Sequence, residues 1–198
     1  MIAIVSTLAV FLMLGASSFQ RKTHAAKCIN NLRQLGTGLL GYALENGNRL
    51  PAVNPIWDYA IANMNGAGAV YTPLLACPGD KVQRIGAKPT EKRSYSLNPT
   101  LCNLNDAYKN EGMWGSNPPP ANTGIRLSAL PKPSRTVLLL ERHEGLNIYN
   151  SGNFLAAASI YNAHKGSMNI VYCDGHLEQI STGVDIAVFQ KNYLSRGQ

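Results

Sequence analysis

The stretch YNAHKGSMNIVYCDGHLEQIS, residues 161–181, sets two short runs, MNIVYC and HLEQI, on either side of Asp174-Gly175. Runs of this length, rich in β-branched and aromatic residues and separated by Asp-Gly, are the strongest short-range signal for a β-hairpin. In a two-residue hairpin Cys173 faces His176 across the turn and Tyr172 faces Leu177, and the two pairs point to opposite sides of the sheet. Ile170, Tyr172 and Leu177 are then expected on the core face. A type I′ turn needs positive φ at both central positions, which Asp and Gly tolerate, so turn chemistry alone accounts for Asp174 and Gly175.

Working outward, TVLLLER at 136–142 is apolar enough for a central strand, set off by the turn at Pro131 and Pro133. Together with 168–173 and 176–180 it predicts a small antiparallel sheet, which must bury one face against another element. That element lies near the N-terminus. Apolar or small residues recur at Ile29, Leu32, Gly36, Leu39 and Ala43, with Leu35 and Tyr42 beside them, the spacing of one buried helical stripe. The helix is expected to end near Asn46-Gly47-Asn48, with Pro51 preventing a restart. The fold class is therefore α+β: a long N-terminal helix on a small antiparallel sheet, with long irregular loops.

The remaining segments are read more coarsely. NPIWDYAIANMN predicts a short helix after Asn54-Pro55, and AVYTPLLACPGD an extended or irregular segment ending in a turn. Residues 99–124, including NPPPANTG, form an exposed variable loop suited to carry individual specificity. Thr182 with Asp185 makes a capping box for a terminal helix, VDIAVFQKNYLS.

With 45% hydrophobic and 15% charged residues in 198, the chain has the composition of one folded domain with many turns. The formal charge of +7 raises the question of nucleic acid. However, the basic residues are scattered or fall in two groups, Arg21, Lys22, Lys27 and Arg33, and the run DKVQRIGAKPTEKR at 80–93. The first follows an apolar stretch and suits lipid head groups or water, and the second has the make-up of a solvated loop. No nucleic-acid-binding motif accompanies the charge, and none is expected. MIAIVSTLAVFLMLGASSFQ has no charged side chain before Arg21, and roughly 20 such residues suffice for a helix to cross a bilayer. A cleaved secretory signal fits less well, because no basic residue precedes the apolar run and GASSFQRK is a poor cleavage site. One helix of some forty-five residues follows, with residues 1–24 its membrane-inserting half and residues 25–198 the attached α+β domain.

A helix that is first apolar and then amphipathic, ending in CINNLRQLGTGLLGYALENGNRLP, resembles the start of the pilin-like proteins of type IV pili and type II secretion. More closely, the chain is similar to the bacterial prepilin-type cleavage/methylation proteins with a His-x9-Asp-Gly processing-associated domain. The motif is read as His164, the nine residues KGSMNIVYC, and Asp174-Gly175. LLACPGDK at 74–81 and LSALPKPSRTVLLLE at 127–141 also look like that family, while residues 52–124 match mainly at Cys77-Pro78. The resemblance implies a pseudopilin-like structural subunit in the bacterial inner membrane. It would have a single pass, an extracytoplasmic C-terminal domain, and as partners similar subunits, the secretion or pilus assembly machinery and the bilayer through residues 1–20. It implies no enzymatic activity and no cofactor. The family's basic leader and Phe-Thr-Leu-x-Glu start do not precede Met1, so the expectation is a chain that begins inside the helix. Arg21 and Lys22 alone would hold the C-terminal side toward the cytoplasm, opposite to a pilin.

Export would favour cysteine pairing, and the four cysteines allow three complete connectivities. Cys28 sits where the helix enters the domain and Cys77 precedes a Pro-Gly turn. Both match motifs of the resembled family, which points to a Cys28–Cys77 bridge worth roughly 3–4 kcal/mol. Cys102 with Cys173 is a second pairing, against the reading of Cys173 as a small buried hydrophobe.

The chemistry of the quoted stretch admits one sharper reading, a transition-metal site of His164, Cys173 and His176, with His143 as a further ligand. No Cys-x2-Cys or His-Glu-x2-His accompanies them, and the blander expectation is that His164 hydrogen-bonds backbone or the Asp174 carboxylate and fixes the start of the hairpin. Cys28 or Cys77 as a thiol nucleophile lacks a local signature, and ENGNR at 45–49 suits a helix cap better than calcium. Glu141 and Glu144, flanking Arg142-His143, read as solvated charges at a strand end. Two classes of function follow: a non-enzymatic structural subunit, or a membrane-anchored extracytoplasmic ligand- or metal-binding domain on the same scaffold.

Overall fold

The computed structural model describes residues 2–51, 57–64, 72–83, 92–98, 101, 124–143, 164 and 166–181, with side chains except at 2–17, 59, 62–64 and 72. The variable loop at 99–124 apart from Leu101 and Gly124, the terminal helix, and Cys102 lie outside the described residues. One helix, α1, runs from Ile2 to Glu45 over 44 residues. It ends as the sequence expects: Gly47 and Asn48 take φ of 66° and 63°, and the Asn48 amide donates to the Ala43 carbonyl at 2.7 Å. That six-to-one bond satisfies a carbonyl the helix leaves orphaned and marks a Schellman cap.

The stripe on α1 consists of Cys28, Leu32, Leu35, Leu39 and Ala43, all with no exposed surface. Spacings of three and four residues put them on one face, and that face meets a four-stranded antiparallel sheet. Its strands are β1 (Tyr95–Leu97), β2 (Val137–Glu141), β3 (Ser167–Tyr172) and β4 (Leu177–Ser181), in the order β1-β2-β3-β4. β2 and β3 are central and buried along nearly their whole length, whereas β4 buries only Ile180 fully. Leu138, Leu139, Tyr95, Leu97 and Val171 join the α1 stripe in one core, with Trp57 and Ile61 of α2 (Trp57–Met64) packed into it. Helical glycines permit the close contact. A Cβ on Gly36 would stand 3.1 Å from Val171 Cγ2, and one on Gly38 would stand 2.8 Å from Ile61 Cγ2.

Two expectations are corrected, and one strand is added between the segments read as loops. TPLL forms a short helix, α3 (Thr72–Leu75), where an extended or irregular segment is expected, and β1 follows the run at 80–93 read as a solvated loop. The hairpin differs in register. Val171 pairs with Leu177 and Ile170 with Glu178, the Tyr172 amide donates to the His176 carbonyl at 2.9 Å, and the Gly175 amide donates to the Tyr172 carbonyl at 2.9 Å. The loop therefore holds Cys173, Asp174 and Gly175. Gly175 has positive φ, at 90°, and Asp174 does not. This is the longer hairpin turn in which one left-handed Gly ends a type I turn. Because side chains alternate with period two, a one-residue shift exchanges the faces. Val171, Cys173 and Leu177 turn toward α1, and Ile170 and Tyr172 are buried outside that core cluster.

No helix among the described residues is long and apolar enough to cross a membrane. The uncharged run at 1–20 falls mainly on the part of α1 whose side chains lie outside the described set.

Candidate functional site

Cys28 and Cys77 form a disulfide with a Cα separation of 5.0 Å across 49 positions, within the ordinary range for such a bridge. Around it the structure gathers polar groups from distant parts of the chain. The Cys77-Pro78-Gly79-Asp80 turn is closed by the Asp80 amide donating to the Cys77 carbonyl at 2.9 Å. The Cys77 amide donates to Ser94 Oγ at 3.0 Å, and Ser94 Oγ donates to Asp80 Oδ2 at 2.7 Å. Asp80 Oδ1 accepts from the Val82 amide at 2.9 Å, and Lys92 Nζ and His143 Nδ1 stand 3.9 and 4.0 Å from it. The segment read as a solvated basic loop thus supplies a buried acid, and Arg93 at its end is paired with Asp58 at 2.6 Å.

Glu141, at the end of β2, is the second buried acid and corrects the expectation of a solvated charge: it has no exposed surface. Its Oε2 accepts from the Asn169 amide at 2.8 Å and from Asn169 Nδ2 at 3.0 Å. Its Oε1 lies 3.2 Å from His164 Nε2, which is also 3.7 Å from Cys77 Sγ. A buried carboxylate is tolerated only when partners replace its water, and three such contacts meet Glu141. His164 is held on the backbone as well. Its amide donates to the Ser167 carbonyl at 3.0 Å, and Ser167 Oγ donates to the His164 carbonyl at 2.9 Å. Its ring lies over Gly79, where a Cβ would come within 3.0 Å of His164 Cε1, so glycine leaves the space the imidazole fills. The His143 ring stands edge-on to it, with centroids 5.9 Å apart. Tyr95, whose hydroxyl donates to the Cys28 carbonyl at 3.3 Å, has its pKa pushed far up by burial and then by the charge of Glu141, so it stays a neutral donor.

The signature residues separate. His164 bonds Glu141, while Asp174 and Gly175 shape the hairpin tip. Asp174 Oδ1 accepts from the His176 amide at 3.1 Å and faces His176 Nδ1 at 2.5 Å. Partial burial alone would raise the Asp174 pKa, but the hydrogen bonds and charge of His176 outweigh it and hold the carboxyl below its ordinary value. The His176 ring stacks on Tyr172 at 4.1 Å. Cys173 carries a free, buried thiol within the apolar core, so it is not bridged to Cys102, and its pKa is pushed up by burial first and Asp174 second. Among the described residues, one group has the donors and proximity to hold a metal ion: Cys28, Cys77, Glu141 and His164. Of the ligands expected from sequence, His164 alone belongs to it.

The sequence offered no local signal for Asp80, Glu141 or Asn169 as partners. The fully apolar strand before Glu141 was the one available hint, because a charge ending a buried central strand sits where the sheet is covered. With both sulfurs joined, the cluster presents no thiolate nucleophile. No family model, no curated protein and no solved structure matches the chain.

Proposed function

We propose that the chain is a non-enzymatic, pseudopilin-like structural subunit of a type II secretion or type IV pilus-like system. It is anchored in the bacterial inner membrane by the first half of α1, with the α+β domain on the extracytoplasmic side. The observation that carries this reading is the division of α1. From Cys28 onward the helix is packed on the sheet, whereas Ser18 to Thr23 are exposed and Phe19 is 73% exposed, in direct continuation of the uncharged run. A helix extending beyond its own core is stabilised by what it meets outside, here lipid and the corresponding helices of similar subunits. The Cys28–Cys77 bridge supports an oxidising compartment.

The test is expression of the full chain in a bacterial host, followed by carbonate extraction, protease treatment of spheroplasts, and oxidative cross-linking of a Phe19→Cys variant. The expected outcome is a carbonate-resistant protein whose domain is cleaved from outside and whose variant forms disulfide-linked dimers. Release by carbonate, or protection of the domain in intact spheroplasts, would overturn the assignment.

A further inference from the structure

The Sγ atoms of Cys28 and Cys77, a carboxylate oxygen of Glu141 and a ring nitrogen of His164 all lie within 4.8 Å of one another. They come from α1, from the turn after α3, from the end of β2 and from the residues before β3, so no short sequence motif encloses them. Tetrahedral zinc, with bonds of about 2.0–2.3 Å, holds its ligand atoms about 3.3–3.8 Å apart. His164 Nε2 already stands 3.7 Å from Cys77 Sγ and 3.2 Å from Glu141 Oε1. The Asn169 amide and side chain occupy Glu141 Oε2 and turn Oε1 toward His164, the kind of outer contact that orients a metal-ligating carboxylate. Both cysteines and Glu141 are buried, which limits competition from water.

We infer that the cluster is a redox-gated site for a zinc-type ion, closed by the disulfide and opened by its reduction. A thiol or phosphine reductant supplies two electrons, the S–S bond breaks, and two protons complete the thiols while the reductant is oxidised. A divalent ion then displaces both thiol protons and is held by two thiolates, the neutral imidazole of His164 and the Glu141 carboxylate, with no change in its own oxidation state. Two sulfur donors with one nitrogen and one oxygen favour zinc over magnesium or calcium. The same cysteines thus fasten α1 to the Cys77 turn through a covalent bond when oxidised and through the ion when reduced. This site goes beyond the structural-subunit reading and stands whether or not the chain assembles with others.

The experiment titrates Co2+ and then Zn2+ into the full chain in detergent, oxidised and anaerobically phosphine-reduced, with variants His164→Ala, Glu141→Gln and Cys28→Ser/Cys77→Ser. The reduced protein is expected to bind one Co2+ with thiolate charge-transfer and intense tetrahedral bands, which Zn2+ bleaches. The oxidised protein should show neither band. His164→Ala and Glu141→Gln should each weaken binding by about tenfold or more, and the double serine variant should lose the charge-transfer band. Wild-type protein needs no variant to refute the site: an octahedral spectrum or no binding after reduction, or equal binding when oxidised, overturns it. Unchanged affinity in both His164→Ala and Glu141→Gln also overturns it, by showing a dithiol acting alone.

Discussion

At the scale of single residues, two glycines make opposite demands. A Cβ on Gly124 would fall 1.9 Å from the Leu50 carbonyl oxygen and 2.8 Å from that of Pro51. Both neighbours are backbone, fixed in part by the Leu50 amide donating to the Ile125 carbonyl at 3.0 Å, so neither moves without breaking the link between the end of α1 and the 124–127 segment. Gly41 lies in a helix with nothing within 4 Å of its Cβ position. Gly124→Ala is therefore expected to destabilise by about 1–3 kcal/mol through overpacking. Gly41→Ala should stabilise by about 0.5–1 kcal/mol by restricting the unfolded chain. Urea denaturation of both variants checks the pair, and a common sign would contradict the geometry.

Cys173 gives a second prediction at this scale. Burial and the neighbouring Asp174 keep its thiol protonated, so native protein should resist iodoacetamide at mildly alkaline pH and react at Cys173 once unfolded. The sign of the linkage follows. The folded pKa is raised, so this group's contribution to stability is full below the ordinary value of 9.0 and is lost as the pH rises from there toward the folded value. Complete labelling of Cys173 in native protein at neutral pH would show that the thiol is not buried.

At the scale of elements, the α1 stripe and the disulfide make separable contributions. Leu35 has no exposed surface and sits in the core between α1 and the sheet, so Leu35→Ala is expected to cost about 2–5 kcal/mol, depending on how far the cavity collapses. Cys28→Ser/Cys77→Ser removes the constraint on the unfolded chain across 49 positions, an expected loss of about 3–4 kcal/mol. Calorimetry of metal-free protein compares the two, and a double serine variant as stable as the oxidised parent would show that the bridge constrains nothing. The helix, its cap, the central strand and the hairpin were all legible, because each rests on local periodicity or on Gly and Asn at a chain reversal. The hairpin register was not legible. Asp-Gly is compatible with loops of two or three residues, and Val171 packing against Gly36 is a nonlocal contact that fixes which face turns inward.

At the scale of the whole molecule, α1 divides near Cys28. The described residues from Ser18 to Thr23 are exposed, and the core begins at Cys28. Deleting residues 1–24 should therefore leave a folded, soluble domain with its disulfide intact, with a far-ultraviolet circular dichroism spectrum differing only by the lost helix. An unfolded truncated chain would show that the apolar half of α1 is part of the core.

From the sequence alone came the α+β class, the antiparallel sheet, the extent of α1 and the pairing of Cys28 with Cys77, the last through family resemblance. These follow from signals contained in windows of a few turns or from motifs read in order along the chain. The tertiary structure alone decided that β1 joins the sheet, that Glu141 is buried, and that His164 bonds Glu141 beside Cys77 while Asp174 bonds His176. Apart from the Asp174–His176 bond, which is local to the turn and follows from its register, each depends on contacts between segments far apart in sequence. Residue type limits what a buried carboxylate or imidazole can bond, and only the packing of α1, the Cys77 turn and the sheet selects which partners come within reach.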